Sequence, residues 1–168
     1  MTYSLTYPSL VLFDHGDWPR YLADVYAIFR RDLIDSRPTF RGRRLGLKRH
    51  PISDGKEGTF WHCISDGDNE ADRLPDIRRC ERIAWIRFLI ENCDHPDVCC
   101  WVRVVGGKNR VLITPADFAY IVVLEDRGEF LLPWTAYTVI ALHRQQKLKR
   151  EFEAFERERK TKAGVAQI

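Results

Sequence analysis

Between residues 99 and 138 the chain passes through "CCWVRVV", "NRVLIT", "FAYIVVLEDR" and "GEFLLPWTAY". These segments are rich in β-branched and aromatic residues, and Gly-Gly, Thr-Pro and Asp-Arg-Gly break them apart. Short strands separated by tight turns read as a four-strand antiparallel meander. Such a sheet must bury at least one face, and helical patterns flank it. "DWPRYLADVYAIFRRDLIDS" (17–36) sets Leu22, Val25, Tyr26, Phe29 and Leu33 at helical spacing. Asp17 caps this helix and Pro38 stops it. "LPDIRRCERIAWIRFLIENC" (74–93) starts at Pro75 and Asp76, with Ile77, Cys80, Ala84 and Phe88 along one face. "ALHRQQKLKREFEAFERERK" is a charged amphipathic helix with Leu148, Phe152 and Phe155 in one stripe.

Helices, then adjacent strands, then a helix give an α+β architecture. One domain is expected over 1–168, with a helical part over about 17–93, a sheet over about 99–138 and a C-terminal helix over about 139–160. One sheet face packs on the helices, which leaves the other open to a ligand. "TFWHCIS" (59–65) reads as a short buried strand, and residues 39–58 read as irregular.

The chain has 168 residues, enough for a proper core, with 45 % apolar and 30 % charged residues. No apolar run approaches the roughly 20 residues of a membrane span. The start "MTYSLTYPSLVLFDHGDW" lacks the basic region and cleavage site of a secretory signal. A cytoplasmic protein without a membrane partner is expected. Five cysteines, an odd number without disulfide spacing, agree with a reducing compartment. Cys93, His95, Cys99 and Cys100 cluster loosely, but not at zinc-finger or ribbon spacing, and adjacent cysteines rarely share one ion. They read as reduced thiols, and no metal or cofactor is expected. P-loop, GxGxxG, HExxH and GxSxG motifs are absent from the sequence.

The net charge is +3, and its distribution says more. From Arg37 to His50 there are six Lys or Arg and no Asp or Glu. Acids concentrate in "SDGDNEADRLPD" (65–76), of which "SDGDNEAD" reads as a flexible lip over a site, and in "EFEAFERE" (151–158). At about 100° per residue, Arg78, Arg79 and Arg82 share one helical arc opposite the apolar stripe. This is either a solvated face or, with Lys48, Arg49, Lys108 and Arg110, a set of cations converging on a phosphodiester. His62 has two readings as well: a packed core residue, or a general acid or base. Burial among Phe60, Trp61 and the helices favours the first; exposure near Arg82 and Thr135 favours the second. His50 competes for the same role. Thr135 and Tyr137 alternate on a strand and share a face, where their hydroxyls either hold a phosphate or merely face solvent or a neighbour. Tyr120 and Trp101 are either base-stacking surfaces or core.

Taken in order, the basic loop, "FWHCIS", the Arg-rich "PDIRRCERIAW", "YIVVLEDRGEF" and a strand ending "PWTAY" resemble a known family. It is the phage- and prophage-associated branch of the barnase–EndoU–colicin–RelE superfamily of small ribonucleases. The resemblance covers roughly residues 37–155 and leaves the 17–36 helix unmatched. It implies a metal-independent endoribonuclease, often a toxin in toxin–antitoxin or inter-phage conflict, that cleaves RNA through a 2′,3′-cyclic phosphate. His62 would be the acid/base and Thr135 an assisting or phosphate-binding hydroxyl. Lys48, Arg49, Arg79 and Arg82 would clamp phosphate. RNA and an antitoxin or immunity protein are the implied partners. The rival reading is a non-catalytic module that binds nucleic acid or protein.

Overall fold

A computed structural model describes residues 4–67 and 69–165. It is α+β. Helix α1 (Trp18–Phe29) runs into a wider π turn, Arg30–Asp35. A small ribbon follows, β1 (Thr39–Phe40) with β2 (Arg43–Arg44). Next come helix α2 (Gly58–Ile64), a second ribbon of β3 (Ser65–Asp66) with β4 (Leu74–Pro75), and the helices α3 (Ile77–Glu81) and α4 (Ile83–Glu91). The strands β5 (Val98–Val105), β6 (Lys108–Pro115), β7 (Tyr120–Asp126) and β8 (Leu131–Thr138) form the sheet, and α5 (Leu142–Val165) closes the chain. Among the described residues, no helix is long and apolar enough to cross a membrane.

The sheet is the expected meander, antiparallel in the order β5-β6-β7-β8. Alternation along the strands feeds two separate apolar layers. Val111, Ile113, Val122, Leu124 and Ala136 face the layer that contains Val25, Phe29, Phe60, Ile86 and Leu89. Leu112, Ile121 and Val123 face Leu148, with Phe152 and Phe155 packed alongside. The predicted stripe of α5 is therefore the one that docks. Arg103 of β5 fixes it by a bidentate pair to Glu151 at 2.6 Å for each bond, and the Trp101 indole donates to the same carboxylate at 3.2 Å. Trp101 and Tyr120, considered as base-stacking surfaces, are both core at 1 % exposure. The open second face expected from the sequence is thus corrected: α5 covers much of it.

Two helical readings also change. "TFWHCIS" is helix, not strand. Its aromatic and β-branched residues favour strand locally, but tertiary burial decides for so short a segment. Phe60, Cys63 and Ile64 recur at helical spacing and are sealed into the core. The α2 amides of Gly58 and Thr59 donate to the carbonyls of Arg49 and Lys48 at 3.3 and 2.9 Å, which caps the helix with backbone. The 74–93 helix breaks at Arg82, where φ −103° and ψ 17° end α3 and restart the chain as α4. The break shifts the phase of the buried face. Cys80, Ile83, Ala84, Ile86, Leu89 and Ile90 are buried, while Ile77 stands 44 % exposed.

The basic loop is held down at several points. Arg41 pairs with Asp94 at 2.7 Å. Arg43 grips Asp126 with two bonds of 2.9 and 2.8 Å and also donates to the Gly128 carbonyl. The Arg43 guanidinium and then the Gly128 amide pull the Asp126 carboxyl from 3.8 down to about 2. A depressed folded value gives stability that is complete above 3.8 and is lost as pH falls through about 2. Both side chains are partly exposed, so solvent screening keeps the effect small. Asp126→Asn is expected to lower the urea midpoint at pH 7. The gap to wild type should close as pH approaches the folded value; a gap that stays constant in acid would contradict the assignment.

Candidate acid–base and anion-binding site

Helix α2 lies along β8, the edge strand of the sheet. Pro133 is tolerated there because one side of an edge strand needs no ladder bonds. The β7–β8 register slips between Val123 and Leu124, which pair with Thr135 and Pro133. Trp134 is therefore the extra residue of a β-bulge, a device that re-aims a side chain. Its ring meets His62 edge-on, with centroids 5.7 Å apart. The Arg110 guanidinium also sits over this ring, 5.0 Å from its centroid.

His62 is 8 % exposed, yet it lines two surface clefts. Neither reading from the sequence describes it fully. The ring body is packed, while Nε2 lies 3.2 Å from Glu70 Oε1 at the cleft mouth. Lys48 Nζ reaches the same oxygen at 3.0 Å. The Lys48 backbone is pinned to Thr59: its N–H donates to Oγ1 at 2.7 Å and its carbonyl accepts from the Thr59 N–H at 2.9 Å. Burial lowers the His62 pKa below 6.5; the Glu70 hydrogen bond opposes this, and the charges of Arg73 and Lys48 add to the lowering. The Glu70 carboxyl is held below its usual value by Lys48 first and then by His62. A neutral imidazole beside a carboxylate and two cations is competent to accept a proton, and the carboxylate stabilises the imidazolium that forms.

The other cleft on His62 is bounded by Arg73, Arg79, Trp134, Thr135, Tyr137 and Arg144, with Asp66 and Asp76. Arg79 is inside, not on a solvated arc. At 8 % exposure it donates to the Ser65 carbonyl at 2.7 Å and to Asp66 at 3.0 Å, and it lies 5.4 Å over the Tyr137 ring. The Thr135 hydroxyl donates to the His62 carbonyl at 3.1 Å, so it anchors α2 to β8.

Beyond Trp134, Glu125 is a buried carboxylate on the α5 side of the sheet, 1 % exposed. Arg127 reaches it at 2.7 Å, Arg110 at 3.2 Å and Lys108 at 3.3 Å. Burial alone would raise its pKa, but Lys108, Arg127 and Arg110 outweigh that and lower it. Three cations on one carboxylate leave an anion-seeking surface on the partly exposed heads.

The structure thus groups His62, Arg79, Thr135 and Tyr137 around one cleft, joins Lys48 to His62 through Glu70, and sets Arg110 against Trp134 with Lys108 beside it on Glu125. It does not bring the rest. Arg82 turns away to the Arg78 carbonyl, Glu81 and the face of Trp85. Arg78 is exposed and lines neither His62 cleft. The helix break at Arg82 explains both. Arg49 lines a different groove, and His50 is exposed and lines neither cleft. Glu70, Arg73, Trp134, Glu125 and Arg127 were not visible as site residues. Only the Gly-broken, charge-rich "LEDRGEF" hinted at the last two. All five cysteines are free; Cys99 and Cys100 point to opposite faces of the sheet. Among the described residues, no three His, Cys, Asp or Glu gather as a metal site.

Comparison of the chain with protein-family models, curated proteins and solved structures returned no match. The functional reading therefore rests on the geometry and on the resemblance carried by the motifs.

The His62 ring is expected to titrate below 6.5 in NMR. Because Glu70 raises that pKa, Glu70→Gln should move the titration still lower. A His62 that titrates above the ordinary value would contradict the packing. Thr135→Val should cost about 1 kcal/mol of stability, the usual net worth of one hydrogen bond, read by urea unfolding.

Proposed function

We propose that the protein is a metal-independent endoribonuclease whose acid–base group is His62. The carrying observation is the Lys48–Glu70–His62 cluster, whose imidazole lines two clefts, one shared with Glu70 and Arg73 and the other with Arg73 and Trp134. In this reading a base stacks on exposed ring surface near Trp134. His62 takes the proton of a ribose 2′-hydroxyl. The 2′-oxygen then attacks the adjacent phosphorus and the 5′-oxygen leaves, which produces a 2′,3′-cyclic phosphate. In this reading Lys48, the cation bound to the same Glu70 oxygen as His62, protonates the leaving oxygen, and Arg73 with the Glu125-anchored cations offsets charge on the phosphorane. Arg79 and Thr135 act as positioning residues, since their polar groups are already bound to the protein. The resemblance to toxin ribonucleases supports the same chemistry. It adds the proposal of a cytoplasmic toxin or phage-conflict effector, kept in check by an antitoxin or immunity protein.

Two observations favour a second reading, a nucleic-acid-binding module without turnover. His62 is largely covered, and the Thr135 hydroxyl is spent on backbone. The two readings differ in how they respond to substitution. For the enzyme, RNA cleavage in EDTA should fall about 10²–10⁴-fold in folded His62→Ala while RNA binding survives. The rate should rise with pH through an inflection below 6.5, as the base loses its proton. RNA binding by folded wild type with no cleavage of tRNA, rRNA or mRNA would select the binding module.

A further inference from the structure

A second groove is lined by the same loop that reaches the His62 cleft. Pro51 lines the cleft and Arg49 lines the groove, with only His50 between them in the chain. The groove holds about 550 Å³. Its rim carries Arg37, Arg44 and Arg49, all exposed, and its apolar floor includes Leu33, Leu45 and Phe130. No carboxylate lines it. Among the described residues, none of these arginines has a carboxylate within ion-pair distance, whereas Arg41, Arg43 and Lys48 of the same loop are all paired. Of the loop's six cations, three are paired with carboxylates and three face one groove.

The groove is also shaped. The Arg44 guanidinium lies over the Phe130 ring at 4.9 Å, which presents a flat cationic surface. Gly46 lets that ring close in, since a Cβ there would run into Phe130. The Gly46 amide donates to the Leu131 carbonyl at 2.8 Å and fixes the floor to the start of β8. Arg37 is held at φ 47°, the left-handed region, directly before Pro38.

We propose that this groove binds the backbone of single-stranded RNA as it leaves the His62 cleft; the proposal rests on the reading of that cleft as an RNA site. Three unpaired guanidiniums suit phosphodiesters, and a stacked guanidinium plane accepts a base. An acidic peptide would share the charge match. RNA is favoured because one short loop serves both sites, with Arg49 on the groove and Pro51 on the cleft, and because the guanidinium plane over Phe130 suits a base as well as a phosphate.

The test uses the full chain carrying His62→Ala in EDTA, so that cleavage does not intrude, with a fluorescent oligouridylate of twelve nucleotides as probe. Each phosphate contact on a single strand contributes about 0.7 to the slope of log K against log salt. Adding Arg37→Ala, Arg44→Ala and Arg49→Ala together should make the slope shallower by about 2 and weaken binding. Arg49→Glu alone, a change on an exposed side chain, should weaken binding in the same direction and guards against misfolding of the triple variant. An unchanged slope and affinity in both folded variants would overturn the proposal. So would a groove whose arginines are needed for an acidic peptide such as oligoglutamate but not for RNA. The effect on the slope is independent of turnover. If it is present while the wild type cleaves nothing, the groove stands and the nuclease reading falls.

Discussion

Burial of the sheet on both faces is the constraint from which the rest follows. The N-terminal helices take one face and α5 takes much of the other. Little of the central sheet is left for a ligand, and the β8 edge and the strand ends beyond α5 are the parts of it that stay accessible. There α2 is laid against β8 and tied by one hydroxyl, from Thr135 to the His62 carbonyl. The bulge at Trp134 then turns an aromatic ring out against His62 and Arg110. A flat, regular β8 would have sent that ring elsewhere and left His62 an ordinary packed residue.

Charge is used in two ways around this edge. Some pairs are structural: Arg43 with Asp126, Arg103 with Glu151, and Arg79 with Asp66 and Ser65. Each joins elements distant in sequence. The Glu125 cluster differs. A buried carboxylate left without partners would be costly, and three cations offset that cost. Their heads remain partly in water, so the same arrangement concentrates positive charge at the surface. In the Lys48–Glu70–His62 cluster the carboxylate stands half-exposed and it is the titratable ring that is covered.

Much of the fold was legible because it rests on periodicity and turn chemistry. The meander, the Asp17 cap, the α1 stripe and the docking residues Leu148, Phe152 and Phe155 follow from alternation, helical spacing and breakers alone. α2 was not legible, because seven residues are too few for local preference to decide and the deciding contacts come from Phe29, Lys48 and β8. The same holds for Arg82. Its break in the helix rotates the arginines apart, and nothing in "RRCERIAW" marks a stop. At the site, residue types were readable but partners were not. His62 stood out as a histidine in an aromatic run, yet its distance to Glu70 depends on how the acidic segment folds back over it. Trp134 became visible only through the bulge.

The thiols carry a practical consequence. Cys63, Cys80, Cys93 and Cys99 are buried, and burial raises the pKa of every cysteine, to about 12 for Cys63, Cys80 and Cys100 and about 11 for Cys99. Thiols, not thiolates, populate the native protein at neutral pH, and thiols are poor nucleophiles. At the four buried cysteines an alkylating reagent must therefore wait for the chain to open, while Cys100 is partly exposed in the native state. Cys63 and Cys80 belong to the helices beside the cleft, while Cys99 and Cys100 belong to the sheet. Their separate labelling rates amount to an internal clock. It reports how often the helical layer lifts from the sheet compared with how often the whole molecule unfolds.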